Sequence, residues 1–410
     1  MESMYVCVCG LDVHKKFVMA CVRRIGEEGR VFREVRRFET MTRNLRAMQE
    51  WLSSEGVTHI AMESTGVFWK PIFNILDGHF EQVMVVNAQH VKNVPGRKTD
   101  VKDAEWIAQL LQCGLLRPSF VPERGTRERR DLTRHRSKLA GQRASVANRI
   151  HKVLEDTNVK LGAVATDILG VSGRCMIEGL ISGEESPEVL AEHARGRMRG
   201  KIPELRVALE GKVTEHHRFQ LKMLLEQYDF LDNQIEEISR RIAAEAPPFF
   251  EQAVQLLVTA PGVQVRTAQA VLAEIGLDMN QFPTAGDLAS WAKVCPGNNR
   301  SAGKNKPGKK RKGNHWLQGT LGQIAMAAVH VKGTYLQAKY RRMSRKGKNR
   351  ALVAVQHDLL IAFYHMLNRG VPYADLGADF FERRNVEPNK QYHIRKLESL
   401  GFRVSLEVAA

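Results

Sequence analysis

The chain of 410 residues is long enough for about two to three ordinary domains and at least one full hydrophobic core, which excludes a peptide or a staple-dependent miniprotein. Its 62 Lys and Arg against 45 Asp and Glu leave a formal charge of +17, so a polyanion is the expected partner, and charge alone does not separate nucleic acid from anionic lipid. A hydrophobic content of 43% argues against wholesale disorder. No run of about 18 apolar residues is present to span a bilayer. The start, MESMYVCVCG, lacks the cationic head and long apolar stretch of a secretion signal, and a cytoplasmic protein is expected. Six cysteines form no CxxC pair; Cys7 and Cys9 lie two apart on a predicted strand, share one face, and read as buried thiols rather than a metal site or disulfide.

From Tyr5 to Leu116 strands and helices alternate. Tyr5 to Leu11 and Phe17 to Arg23 are short runs rich in Val, Met and Cys, and Val31 to Phe38 alternates apolar with charged residues as a half-exposed edge strand does. Met41 to Ser53 has helical spacing at Leu45, Met48 and Leu52, Thr58 to Met62 is a strand ending at Glu63, and Val67 to Leu76 reads as helix. Gln82 to Val86 is a fifth strand, and Val101 to Cys113 is a helix with Ile107, Leu110 and Leu111 on one face. The predicted order is β-β-β-α-β-α-β-α, an α/β domain over 1–123.

After Arg124 the composition shifts. Eight Lys and Arg fall between Arg124 and Arg143, with Leu132, Leu139, Val146 and Val153 seven apart, which predicts a long basic helix. A second stretch, with Leu221, Leu224, Tyr228, Leu231, Ile235, Ile238 and Ile242, steps three and four like a coiled-coil seam, within one chain or between subunits. Together these make 124–248 a helical linker and oligomerisation region, with 162–203 too irregular to assign. Pro247-Pro248 marks a boundary to a mainly helical domain over 249–372, followed by a tail, 373–410, with a short helix near Tyr392 to Leu400. Within the third region, Leu256 to Gly276 has the outline of a helix-hairpin-helix around Ala260-Pro261-Gly262-Val263, a turn that would present backbone N–H groups to a DNA phosphate. Leu317 to Val331 is an Ala-rich helix.

Four acids fall where such a topology can gather them. Asp12 ends the first strand and Glu63 the fourth, and in a ribonuclease H-like sheet the fourth strand lies beside the first. Asp100 and Asp103, three apart at the start of the last helix of the domain, share one face, although either also suits a capping role. Carboxylate oxygens without adjacent His or Cys favour Mg²⁺ or Mn²⁺ over zinc. A pair of such ions would clamp a phosphodiester from both sides. Asp77 and Glu105 lack that placement.

Ser301 lies in a Gly- and Asn-rich turn, CPGNNRSAGK, directly before a dense cationic run: six of nine residues from Lys304 to Lys312 are basic. Small neighbours allow close approach to a phosphate, but an unassisted serine is a poor nucleophile and nothing within the segment activates it. Seven more Lys and Arg lie between Lys339 and Arg350. The predicted nucleic-acid contacts are Arg97, Lys98, Arg129, Arg130, Arg134, Gly262, Arg300, Lys304, Lys306, Lys309, Lys310, Arg311, Lys312, Arg341 and Arg342. Tyr335, Tyr340 and Tyr373 stand as reserve nucleophiles.

The segments CGLDVHKK, AMESTGVFW, GRKTDVKDAEWIAQLL, LVTAPGVQVRTAQAVLAEIG and CPGNNRSAGK with downstream KGNHWL closely resemble the DEDD transposases of bacterial insertion sequences, insertion-sequence family one-hundred-ten, related to the Piv and MooV DNA invertases. The resemblance implies a RuvC-like domain carrying Asp12, Glu63, Asp100 and Asp103 as metal ligands, and a C-terminal transposase domain carrying Ser301 as nucleophile. Ala302 stands where part of the family has Gly. It further implies a 5′-phosphoserine intermediate, a structured noncoding bridge RNA that pairs with target and donor DNA, and homodimers that assemble into a tetramer in the bacterial nucleoid. A Holliday-junction resolvase hydrolysing DNA with the acids alone is the alternative enzyme, and an architectural nucleic-acid-binding protein the alternative without chemistry.

Overall fold

Seven consecutive residues, CVCGLDV, form strand β1 (Cys7–Val13), and all seven are buried. A strand apolar on both faces belongs in the middle of a sheet covered on both sides by helices. The computed structural model describes residues 4–26, 29–64, 66–87, 100–184, 186–295, 300–301, 304–305, 313–384 and 386–405; at 100–102, 300–301, 304–305, 386–389 and 393 it describes the backbone alone. On one side β1 pairs antiparallel with β2 (Phe17–Ile25), which pairs antiparallel with β3 (Val31–Glu39). On the other side β1 pairs parallel with β4 (His59–Glu63), itself parallel to β5 (Gln82–Val86). The sheet order β3-β2-β1-β4-β5 places the fourth strand beside the first, as the ribonuclease H-like reading requires. Strand β3 (VFREVRRFE) forms an edge and is mostly exposed, its arginines keeping that edge from pairing with other chains.

The two faces of the sheet bury different helices. Cys7, Cys9, Leu11, Ile60 and Met62 pack against α1 (Thr42–Ser54) and α2 (Trp69–Leu76), through Leu45, Met48, Leu52, Ile72 and Leu76. Val8, Ala61 and Val86 face α3 (Asp100–Gln112), meeting Ala104, Ile107, Ala108 and Leu111. Between them sits Gly10, where an added Cβ would lie 2.3 Å from the Ala104 carbonyl oxygen and 2.4 Å from the Ala108 nitrogen. The backbone of α3 therefore rests on the strand with no side chain between. At its far end the Gln112 carbonyl accepts N–H bonds from Met4 and Tyr5 at 2.7 and 3.3 Å, so α3 runs antiparallel to β1. The cysteines are free, and Cys7, Cys9 and Cys21 are buried. Burial pushes the Cys9 thiol well above its ordinary value and that of Cys21 up to about 11, which leaves both inert as thiols.

The chain divides into two compact units, Met1–Pro122 and Glu123–Ala410. The second is built from helices. Its longest, α4 (Arg124–Asp156), lies antiparallel to α5 (Glu215–Ala244). Their cross-links run in opposite directions: Asp156 with His217 at 3.1 Å, Arg143 with Asp232, and Arg136 with Ser239 at 3.4 Å. The seam predicted for a coiled coil is buried inside this hairpin, Leu221, Leu231 and Ile235 meeting Leu139, Val146, Ile150 and Val153. Among the described residues the seam is closed by a helix of the same chain. The segment between the two helices, unassigned from sequence, folds into shorter helices, among them Val171–Ser182, that pack against the hairpin.

The boundaries expected at 248 and 372 fall inside the second unit. Helices α6 (Pro248–Val258) and α7 (Val265–Ile275) follow the hairpin, then α8 (His315–Ala328), α9 (Tyr335–Ser344) and α10 (Lys348–Arg369). Glu274 on α7 is 2% exposed and accepts Nε and Nη2 of Arg134 at 2.7 and 2.8 Å. Arg130 donates to the Ala273 and Glu274 carbonyls at 2.9 and 2.8 Å, and Asn314 Nδ2 donates to Glu274 Oε2 at 2.5 Å. One carboxylate thus links α4, α7 and the start of α8. The tail is no loose appendage at its start: Asp375 accepts the Tyr335 N–H at 3.0 Å and Phe381 stacks on the Tyr335 ring at 5.3 Å. Its terminal helix begins earlier than expected and spans Val386–Glu398.

Substituting Gly10→Ala should destabilise the first unit by about 1–3 kcal/mol, because α3 must lift from the sheet. A lowered urea midpoint for that unit checks this; an unchanged midpoint contradicts it. Glu274→Ala leaves two arginines around a lost buried carboxylate and should cost about 3–5 kcal/mol in the second unit, read from chemical denaturation followed by circular dichroism.

Candidate functional site

The sheet register brings two of the predicted acids together. Parallel pairing of β1 with β4 runs through Gly10 with Ala61 and Leu11 with Met62, so Asp12 and Glu63 are the next residues of each strand. Both fall on the face that carries Gly10 and Ala61, the face covered by α3. Helix α3 crosses Gly10 at Ala104 and Ala108, and one turn back toward its start lie Asp103 and Asp100. Because α3 is antiparallel to β1, that turn lies in the direction in which β1 runs on to Asp12. Asp12 is buried, with 12% of its side chain exposed, whereas Glu63 and Asp103 are partly exposed. The gradient from a buried acid to accessible ones is what a cleft at a sheet edge produces.

All four candidates offer carboxylate oxygens, the donor chemistry of Mg²⁺ and Mn²⁺, and three hold described side chains on one face of one sheet. The residues fit a divalent cation in donor type. Among the described residues no group of three or more His, Cys, Asp or Glu already lies close enough to hold a metal, and the Asp100 side chain lies outside that description. His14, which the sequence reading passed over, contacts Asp12 Oδ2 through Nε2 at 2.9 Å and packs its ring 4.5 Å from Phe17. The signal was its position two residues beyond Asp12, just past the strand end. Of the weaker acids, Glu105 is tied to Arg33 at 3.3 Å on the surface and Asp77 follows directly on α2.

Ser301 lies on a short antiparallel ribbon in the second unit, β6 (Arg300–Ser301) with β7 (Lys304–Asn305), in which Ser301 pairs with Lys304. The ribbon segment ends at Asn314, whose side chain caps α8 by accepting the Trp316 and Leu317 N–H groups at 3.1 and 3.3 Å while bonding to Glu274. This explains the KGNHWL segment physically: Asn314 anchors the chain as it leaves the stretch that contains Ser301. Of the predicted nucleic-acid contacts, Arg97, Lys98, Lys306, Lys309, Lys310, Arg311 and Lys312 lie outside the described residues.

Several of the others are held internally. Arg129 is 8% exposed with its guanidinium 5.0 Å from the Phe250 ring, and Arg130 and Arg134 bind the Glu274 region. The physical reason is amphipathicity: α4 is packed on more than one side, so part of a charge run that reads as a solvated face points inward, and there each charge needs a partner. Gly262 has φ +78°, but an added Cβ would lie 2.5 Å from the Ala328 nitrogen and 2.7 Å from the Ile324 carbonyl. Its α-carbon is therefore set against α8, not toward a phosphate. The start of α7 is capped reciprocally by Gln264 and Thr267, which occupies donors that the helix-hairpin-helix reading left for DNA. Arg341 and Arg342 are exposed on α9, with Arg342 over the Phe381 ring at 5.1 Å. Tyr335 is engaged by Asp358 at 2.9 Å, and burial raises both its phenol and that of Tyr373, so neither is poised as a nucleophile.

No curated protein matches the chain. A solved structure to which it is similar is that of T. thermophilus RuvC in complex with Holliday junction substrate, at 12% identity and a TM-score of 0.21, covering 28% of this chain and 100% of that one. A family model described as a transposase, of the DEDD type of IS110, matches residues 9–159, and one described as "Transposase IS116/IS110/IS902 family" matches residues 254–341. The first match spans all four acids and the second spans Gly262, Glu274, Ser301 and Asn314. Together they cover more than half of the 410 residues, and the chain belongs to the IS110 family of DEDD transposases.

Proposed function

We propose that the chain recombines DNA through a covalent serine intermediate assisted by the acidic sheet edge. The observation that carries this is the juxtaposition of Asp12 and Glu63 at neighbouring ends of parallel strands, with the first turn of α3 beside them, in a chain of transposase family. The Ser301 hydroxyl oxygen would attack a backbone phosphorus, forming the serine–phosphorus bond and breaking the bond to the 3′ oxygen. The 5′ side stays linked to Ser301, and the proton given up by the serine reaches the departing 3′ oxygen, with a carboxylate of the site as carrier. One phosphodiester replaces another, so an exchanged 3′-hydroxyl reverses the step without ATP. A divalent cation held by Asp12, Glu63, Asp100 and Asp103, Mg²⁺ or Mn²⁺ by donor type, would supply positive charge against the phosphate oxygens. His14 fixes one oxygen of Asp12 and so orients the other.

Target and donor DNA are the partners this chemistry requires. A bridge RNA supplying sequence choice accords with a charge of +17 carried largely by sequence-blind Lys and Arg. Arg341, Arg342 and the run from Lys304 to Lys312 remain the candidates for backbone contact. Recombination joins two duplexes, and pairing of dimers into a tetramer suits that task; the buried side of the α4–α5 seam is already filled within one chain. The test uses the full chain with its guide RNA and labelled donor DNA. Ser301→Ala should abolish both strand cleavage and the protein–DNA adduct that survives denaturation. Asp12→Asn should slow cleavage on the order of a thousandfold while DNA affinity stays within a few-fold. A hydrolase that uses water would keep cutting in the Ser301→Ala protein, and that result contradicts the proposal.

A further inference from the structure

In the second unit, α4, α5, α7 and α8 enclose a cavity of about 420 Å³. Its most buried cation is Arg136, which is 6% exposed; the Glu274 carboxylate, 2% exposed, also lines it and is bonded to Arg134. Arg136 donates to three neutral acceptors: the Gln269 side-chain oxygen at 3.0 Å, the Arg266 carbonyl at 3.1 Å and the Ser239 hydroxyl at 3.4 Å. A guanidinium has five N–H donors. These three bonds leave two N–H groups without a bonded acceptor, and the nearest negative charge, Glu236, is bonded to Arg266 instead. The other arginines of the cavity are matched, Arg134 by Glu274, Arg143 by Asp232 and Arg266 by Glu236. Burial, reinforced by the nearby Arg266 charge, pulls Arg136 down to about 10, far below an ordinary arginine. A buried cation with no carboxylate bonded to it is costly, and a bound anion lowers that cost.

The rest of the α4 wall is kept small. Ser137, Ala140, Gly141 and Ala144 follow one another along the same side of α4. Glycine in the interior of a long helix lowers its stability, which calls for a reason. Among the described residues no packing supplies one, since a Cβ built on Gly141 meets nothing within 4 Å. Trp316 also lines the cavity, with Arg134 and Lys138 each 5.8 Å from its ring. Trp316 is two residues past Asn314, the anchor of the segment that contains Ser301.

We infer that this cavity binds a phosphodiester group of a nucleic-acid strand, with Arg136 as its central donor and Gly141 holding the space open. The cavity is large enough for a nucleotide rather than a bare ion. The inference rests on the transposase reading only for the source of the phosphate, the nucleic acid on which Ser301 acts.

The test titrates the full-length protein with inorganic phosphate, followed by thermal unfolding, and with a short single-stranded oligonucleotide, followed by fluorescence anisotropy. Gly141→Glu places a carboxylate in open space beside Arg136 without steric cost. Gly141→Gln is its neutral counterpart, and Gln142→Glu, on an exposed position that does not line the cavity, adds the same charge elsewhere. Gly141→Glu should abolish the stabilisation by phosphate and weaken the oligonucleotide at least tenfold, while Gly141→Gln and Gln142→Glu stay within about threefold of wild type. Equal losses in Gly141→Glu and Gln142→Glu, or no phosphate effect on the wild type, overturn the site. Stabilisation by phosphate that the oligonucleotide fails to compete away assigns the cavity to a free phosphate compound and overturns the nucleic-acid source. These readouts need no strand cleavage. A wild type that binds phosphate here yet forms no serine adduct contradicts the transposase chemistry alone, and one that forms the adduct without binding contradicts the cavity alone.

Discussion

The contact between Gly10 and the backbone of α3 is the constraint from which the acidic site follows. A side chain at position 10 would collide with the Ala104 carbonyl and the Ala108 nitrogen, so hydrogen in place of Cβ sets how near the helix lies to the sheet. The antiparallel course of α3 then decides what lies at the sheet edge: its first turn, with Asp103 and Asp100, and not its apolar remainder. The parallel register of β1 with β4 supplies the other two acids, on the same face, one step beyond the last paired residues. Every link is backbone geometry. Four acids spread over about ninety residues of sequence come to one edge without any of them having to attract another.

The second unit solves the opposite problem, an excess of buried positive charge. Glu274 answers two arginines of α4 and the cap of α8 together, which makes it the junction between the helical hairpin and the segment leading from Ser301. Arg136 is left with neutral partners only. Buried positive charge is thus divided between arginines bonded to carboxylates and one bonded to neutral groups. Net charge and the density of a run do not reveal that division, because it depends on which side of each helix meets another helix.

How much was legible in the sequence follows from the same distinction. The five strands and α1 to α3 emerge from period-2 and helical spacing because each packs on a single sheet, so one apolar face per element suffices to define it. Asp12 and Glu63 were visible as polar residues ending apolar strands, and Asp103 as a helical neighbour of Asp100. The seam from Leu221 to Ile242 was equally plain as a pattern, but a heptad records that a partner helix exists and not whose chain it belongs to. The structure supplies Leu139, Val146 and Val153 of the same chain. Gly262 misled for a related reason. A glycine in a turn signals close approach, and the approaching group is α8. Arg129, Arg130 and Arg134 were read as a basic surface because the carboxylate and the ring that receive them lie more than a hundred residues away in sequence.

The central claim is that the edge of the first sheet gathers carboxylates into a cation site serving Ser301. Its most direct test is equilibrium binding of Mn²⁺ to the full-length protein, followed by the loss of the free ion's paramagnetic resonance signal. The account predicts saturable binding that Glu63→Gln weakens at least tenfold and that Ser301→Ala leaves unchanged. Binding that survives Glu63→Gln undiminished would contradict it.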